Sequence, residues 1–178
     1  PTLMDPAKIP LFVCSDIIVG ETSQYADYIF PDLTFLERWE FHRTHPSIVH
    51  RVSPVRQPAI ASPNETVRVF NEDMPVSMES VMLAIAERLQ LPGFGPGGFG
   101  GSGNLSRPED YYVRMAANIA HGDSSSATDV CPDATEEELQ IFLKARKHLP
   151  KSMFDDAKWA SAVGSNWWKK VVYVLNRG

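Results

Sequence analysis

Residues 9–14, Ile-Pro-Leu-Phe-Val-Cys, form a short unbroken apolar run that stops at Ser15-Asp16. A run without polar alternation needs apolar cover on both faces, which is how a buried parallel strand reads. It also sets Ser15 and Asp16 at the carboxyl end of that strand, where open α/β sheets bind their ligands. Residues 28–30, Tyr-Ile-Phe, give a second short strand stopped by Pro31, with a helical turn between the two over 21–25. A sheet of so few strands needs further strands beside it.

The rest of the pattern is mainly helical. Pro46, Pro54, Pro58 and Pro63 argue for an extended, looping path over 43–66. Ser77 starts a helix with Met78, Val81, Met82, Ile85, Ala86 and Leu89 on one face, and Pro92-Gly93 stops it. Residues 93–104 are glycine-rich. Gly95–Gly100 matches GxGxxG in form, but it follows a helix, whereas a phosphate cradle needs a strand before it and a helix after it. Ser106 to Glu109 reads as a capping box for a second helix that buries Tyr112, Met115 and Ile119. A third helix over 135–148 is acidic at its start and basic at its end, as the helix dipole favours. A short helix over 155–163 precedes Trp167-Trp168, and the apolar run 171–175 reads as a closing strand. The whole is an α/β element with a helical insertion.

Composition removes several function classes. A chain of 178 residues with a net charge of −5 has no basic footprint for nucleic acid. No apolar run approaches the roughly 20 residues that cross a bilayer. Cys14 and Cys131 are far apart and form no CxxC pair, so no zinc or iron–sulfur site is expected within the chain. The first residue is proline and the last three follow an apolar stretch, so both ends are expected to be cuts through a longer protein.

Chemistry concentrates between Cys14 and Glu40. Ser15, Asp16 and Thr22 are short polar residues just past a strand end, able to reach a ribose, a guanine edge or a phosphate. Ser15 and Asp16 equally suit a plain capping role, and spacing does not decide between the two. His42, His45 and His50 lack a carboxylate at ligand spacing, with Pro46 following at once, so they are expected to line a surface or pocket rather than hold a metal.

Glu21-Thr22, Ala26-Asp27, Pro31 and Glu37 stand in the order and spacing of a pattern found in molybdopterin oxidoreductases of the DMSO reductase superfamily, with Phe30 where leucine is usual. The resemblance implies part of a Rossmann-like molybdopterin-binding α/β domain, incomplete at both ends and carrying a mainly helical insertion. Residues 1–90 would be the end of the guanine-dinucleotide-binding unit, and 91–178 the insertion and the connection onward. It implies that Ser15, Asp16 and Arg38 contact the guanine dinucleotide, with Thr22 nearby and Glu79 as the nearest counterpart of an acidic residue at the start of the following helix. The cofactor would be Mo-bis(molybdopterin guanine dinucleotide). A [4Fe–4S] cluster would sit in the parent protein, its ligands and the molybdenum ligand lying outside this chain.

Further stretches, among them Pro54–Ile60, Leu91–Gly95, Arg107–Tyr112 and Lys170–Gly178, resemble tetrathionate reductase catalytic subunits. They imply reduction of tetrathionate to thiosulfate in a periplasmic, membrane-associated complex, with an iron–sulfur electron-transfer subunit and a membrane anchor subunit as partners. Arsenate and polysulfide or thiosulfate reductases are the alternatives within the superfamily. A non-enzymatic α/β binding module is the alternative outside it. His42, Arg43 and His45 follow the cofactor pattern and would line a substrate funnel for a small sulfur oxyanion, as would Arg51.

Overall fold

The computed structural model describes residues 2–41, 47 and 55–177. The first strand, β1 (Val13–Asp16), pairs in parallel with β2 (Tyr28–Pro31), Val13 opposite Tyr28 and Asp16 opposite Pro31. The expected strand at 9–14 is therefore displaced toward the chain's C-terminus and takes in Ser15 and Asp16 themselves. Proline at 10 has no N–H for a ladder, and ordered pairing is fixed instead by Asp27. Its carboxylate accepts the Phe12 N–H at 2.8 Å, and its own N–H donates to the Phe12 carbonyl at 2.8 Å. The expected turn between the strands is a single 3-10 turn, Ser23–Tyr25.

Two small antiparallel pairs follow: β3 (Glu40–Phe41) with β4 (Val55–Arg56), and β5 (Thr66–Val69) with β6 (Glu72–Pro75). The second pair is a tight hairpin that the sequence pattern did not predict. Its two central residues, Phe70 and Asn71, both have positive φ (48° and 63°), the twist that two-residue hairpins need.

Helix α1 (Met78–Leu89) starts at Ser77, whose hydroxyl accepts the Ser80 N–H while the Ser80 hydroxyl accepts the Ser77 N–H. It ends at Gln90 in the left-handed conformation, just before Pro92. The expected buried face is corrected. Leu83 packs against Val69 and Met74 of the hairpin and Ala86 is buried as expected, while Met78, Met82, Ile85 and Leu89 are exposed. The unforeseen hairpin supplies the apolar partner of Leu83.

Helix α2 (Pro108–His121) opens with a box closed by Asp110 rather than Glu109. The Asp110 carboxylate accepts the N–H groups of Ser106 and Arg107 at 2.9 and 3.1 Å. Its fully buried face is Val113, Ala116 and Ala120, in place of Met115 and Ile119, and Tyr112 is half-buried. Three more helices complete the chain: α3 (Glu136–Arg146), α4 (Asp156–Val163) and α5 (Ser165–Leu175). The first is capped by Thr135 and Glu138 in a reciprocal box, as its sequence suggests.

The expected closing strand is instead the last turn and a half of α5. Val171, Val172, Val174 and Leu175 fall at helical as well as strand spacing, and a short apolar run cannot distinguish the two. The small face of α2 decides it, because Ala116 lets α5 approach closely and bury Val171, Val172 and Leu175 in a shared core. The resulting core joins Trp159, Phe142, Val113, Val171 and Val172 to Trp39 and Val55 from the earlier part of the chain. Trp159 lies 4.8 Å from both Trp39 and Phe154, ring centre to ring centre. Both cysteines are free thiols. The architecture is mixed α/β, with β3 and β4 packed into the helical core and the β5–β6 hairpin packed against α1.

Candidate functional site

The carboxyl ends of β1 and β2 meet the N-terminus of α1 at Asp32, the first residue past β2. Its N–H donates to the Asp16 carbonyl at 3.0 Å, which ties the two strand ends together. One carboxylate oxygen accepts the Leu33 N–H at 2.8 Å and the Met78 N–H at 3.1 Å. The second of these is a first-turn donor without a helical partner, so the helix end favours the anion. The other oxygen accepts Arg38 Nη1 at 3.1 Å. Arg38 Nη2 donates to Glu79 Oε1 at 2.6 Å, and the Tyr112 hydroxyl donates to the same oxygen at 3.4 Å.

Local sequence places this guanidinium. Thr34 donates its N–H to the buried Glu37 carboxylate at 2.8 Å, closing the turn that carries Arg38. Trp39, next along, is anchored in the core between Tyr112 and Trp159. Arg38 is thereby held between two carboxylates from separate elements while keeping part of its surface in solvent. Burial disfavours its charge, but the Glu79 carboxylate and then Asp32 outweigh that and leave it more firmly protonated than a free arginine. Two of its five N–H donors are used here, so others remain for a ligand.

Tyr112 is pushed up to about 12 by burial and then by the Glu79 carboxylate, so it stays a neutral donor. Glu109 lies inside the same region. Burial, only partly opposed by Arg107, raises its carboxyl to about 7.

The residues expected at the site divide into two groups. Arg38 and Glu79 are brought into direct contact. Ser15 lies at the end of β1 with its Oγ buried and without a partner among the described residues. Asp16 folds back on its own loop: one oxygen accepts the Ile17 N–H at 2.9 Å and the Ile18 N–H at 3.5 Å. The Ser23 hydroxyl, ahead of those N–H groups, holds its carboxyl below the usual range against a smaller effect of burial. Thr22 is exposed and makes no capping bond. His42, Arg43, His45 and Arg51 lie outside the described residues. Sequence reasoning missed Asp32, Tyr112 and Glu109. Only Asp32 left a local trace, an aspartate six residues before the arginine and directly after a strand.

Beside Ser15, an apolar groove of about 940 Å³ runs between β1, β5 and α1, lined among others by Val13, Phe30, Met82 and Ile85. Among the described residues no group of three or more His, Cys, Asp or Glu could hold a metal ion. The donor set suits a different ligand. The orphaned Ser15 Oγ can accept an N–H or O–H group, and the cationic Arg38 can meet an anionic or carbonyl oxygen. A guanine edge with its ribose and phosphates presents both kinds of partner.

The chain is 46% identical to the A subunit of the selenate reductase of Mesobacillus selenatarsenatis over 177 residues, which is 99% of this chain and 17% of the relative. It is 38% identical over 181 residues to the A subunit of the tetrathionate reductase of Salmonella typhimurium, and 28% over 190 residues to that of Archaeoglobus fulgidus; each match takes in 99% of this chain and 16% of the relative. No family model matches the chain, and no solved structure does. The chain spans about a sixth of the length of the curated relatives it matches. These matches run along nearly the whole length of the chain, and the relatives, reductase A subunits of the molybdopterin oxidoreductase type, bear out the resemblance carried by residues 14–40.

Proposed function

We propose that the chain is the part of a molybdenum-dependent reductase that cradles the guanine dinucleotide of Mo-bis(molybdopterin guanine dinucleotide). One observation carries this: the ends of two parallel strands and the start of α1 meet at Asp32, which together with Glu79 holds Arg38 in a partly solvent-exposed position. That is the place and the chemistry by which α/β folds hold nucleotides. Arg38 and Ser15 would contact the dinucleotide directly. Glu79 and Asp32 would fix the arginine from two sides. Asp16, already satisfied by its own loop, shapes the rim. On this reading β1 and β2 are two strands of a larger Rossmann-like sheet.

The bound cofactor supplies the redox chemistry, a two-electron reduction of an oxyanion, and this chain supplies binding and orientation. Two substrates are named for the relatives. Tetrathionate takes two electrons and gives two thiosulfates by cleavage of one sulfur–sulfur bond. Selenate takes two electrons and two protons and gives selenite and water. The 46% identity to a selenate reductase, against 38% to a tetrathionate reductase, brings selenate forward beside the tetrathionate expectation. We further place the parent polypeptide on the periplasmic side of a membrane, with an iron–sulfur subunit and a membrane anchor as partners; a [4Fe–4S] cluster in the same polypeptide would pass the electrons. The full-length polypeptide, purified anaerobically, should retain molybdenum and guanine nucleotide, and should reduce selenate or tetrathionate with a viologen donor. A preparation that folds yet holds neither molybdenum nor guanine nucleotide would refute the reading.

A further inference from the structure

A small cavity of about 20 Å³ is lined by Arg38, Trp39, Glu79, Glu109 and Tyr112 together with apolar side chains such as Leu33 and Met74. Three polar atoms of those residues are buried without a partner among the described residues: Trp39 Nε1, Glu79 Oε2 and Glu109 Oε2. They come from three separate elements, the turn after β2 and the first turns of α1 and α2. Unpaired buried polar atoms each cost on the order of a lost hydrogen bond, and three around one cavity of this size call for a common partner. The set is one donor and two acceptors. A cation would be repelled by the indole N–H and by Arg38 at the wall. A water has an acceptor position for the indole and two donors for the carboxyls. Its room requirement, roughly 10–15 Å³ on the same measure, is met once.

We propose that this cavity holds a single structural water, hydrogen-bonded to Trp39 Nε1, Glu79 Oε2 and Glu109 Oε2, and that Glu109 acts through it as a positioning residue for Glu79 and hence for Arg38. Glu79 then has both oxygens committed, one to Arg38 and Tyr112 and one to the water, which fixes the carboxylate that orients the guanidinium. The charged and titratable groups around Glu109 are Arg107 and Asp110 on its own helix, Glu79 on α1, and Arg38, Tyr112 and Glu37 around the cavity. Arg107 is engaged by Asp110 at 3.1 Å, so it does not neutralise Glu109 alone. The carboxyl, raised to about 7, can hold its proton and turn one water hydrogen toward Glu79. Any consequence for a bound dinucleotide rests on the reading of Arg38 given above; the water itself does not.

The test is a set of high-resolution crystal structures of the full-length polypeptide, as wild type, Glu109→Gln and Glu109→Leu, on both sides of pH 7. Wild type and Glu109→Gln should show one water within about 2.7–3.2 Å of all three positions. Glu109→Leu should expel it and release Glu79 from Arg38. A protein atom filling the cavity, a cavity without density, or an Arg38–Glu79 pair unmoved in Glu109→Leu would overturn the proposal. Should Glu109→Leu fail to fold, Glu109→Gln still decides: it must keep the water and lose the pH dependence of unfolding that wild type shows below pH 7, and retention of that dependence would overturn Glu109's part. Guanine nucleotide content separates the two readings. Normal content in Glu109→Leu with Arg38 displaced would count against Arg38 as a cofactor contact and leave the water in place.

Discussion

The two sides of this molecule are finished to different degrees. Around Trp159, helices α2, α4 and α5 close on one another and bury Val113, Ala116, Trp159, Val171 and Val172. Around β1 and α1, the polar cluster at Arg38 is assembled, yet Met78, Met82, Ile85 and Leu89 stand exposed along an open groove. Both regions contain amphipathic helices with good caps. What differs is the partner: α5 finds a small-residue face on α2, whereas α1 finds only a two-stranded hairpin that covers one flank. Local pattern makes a helix, and what faces it settles which side is core.

The comparison can be broken in four places. The largest effect is expected at Trp159, which is fully buried and joins Trp39 and Phe154. Trp159→Ala should cost about 3–5 kcal/mol in denaturant unfolding of the full-length polypeptide. A cost under about 1 kcal/mol would mean that the helical side is not a tightly packed core.

Glu109 comes next, through pH. Its folded value of about 7 lies above the ordinary 4.5, so between those values the folded protein holds a proton that the unfolded chain has released. Its contribution to stability is therefore full below about pH 4.5 and is lost as the pH rises to about 7. The loss should reach at most about 3 kcal/mol. Glu109→Gln should flatten that part of the profile, as followed by thermal unfolding across the window. An identical slope in the variant would assign the dependence to other groups.

Arg38→Ala should cost less, about 1–2 kcal/mol, because the pair with Asp32 and Glu79 is partly exposed to solvent. The smallest effect belongs to the groove. In this chain expressed alone, Met82→Gln should change stability by no more than about 0.5 kcal/mol, since the side chain is more than half exposed. A larger loss there would show that α1 is covered by contacts within the chain itself.

Legibility in the sequence follows the same divide between local and distant causes. Ser77 and Thr135 announce α1 and α3 correctly because their capping boxes involve neighbours three residues apart. The parallel pairing of β1 and β2 was readable from an apolar run ending in polar residues. The strand expected at 171–175 failed because valine-rich runs suit both states, and the deciding surface, α2, lies more than fifty residues away in sequence. The hairpin at Thr66–Pro75 was obscured by the charges of Arg68 and Asp73, which pair across its open face. At the site, Arg38 and Glu79 were named from resemblance. Asp32 was not, since its role depends on the Met78 N–H arriving from 46 residues downstream. Asp16 bonds the Ile17 and Ile18 N–H groups of its own loop through one oxygen, the local capping that its spacing also suits.

The central claim is that Arg38 is a contact to the guanine dinucleotide and not only a brace between two carboxylates. Guanine nucleotide released per polypeptide, measured on purified full-length wild type and Arg38→Ala of matched folded content, tests it most directly. The account predicts near-stoichiometric nucleotide in the wild type and a loss of about tenfold in apparent affinity in the variant, the size of one charge-assisted contact. Equal retention in both, with the variant folded, would contradict it.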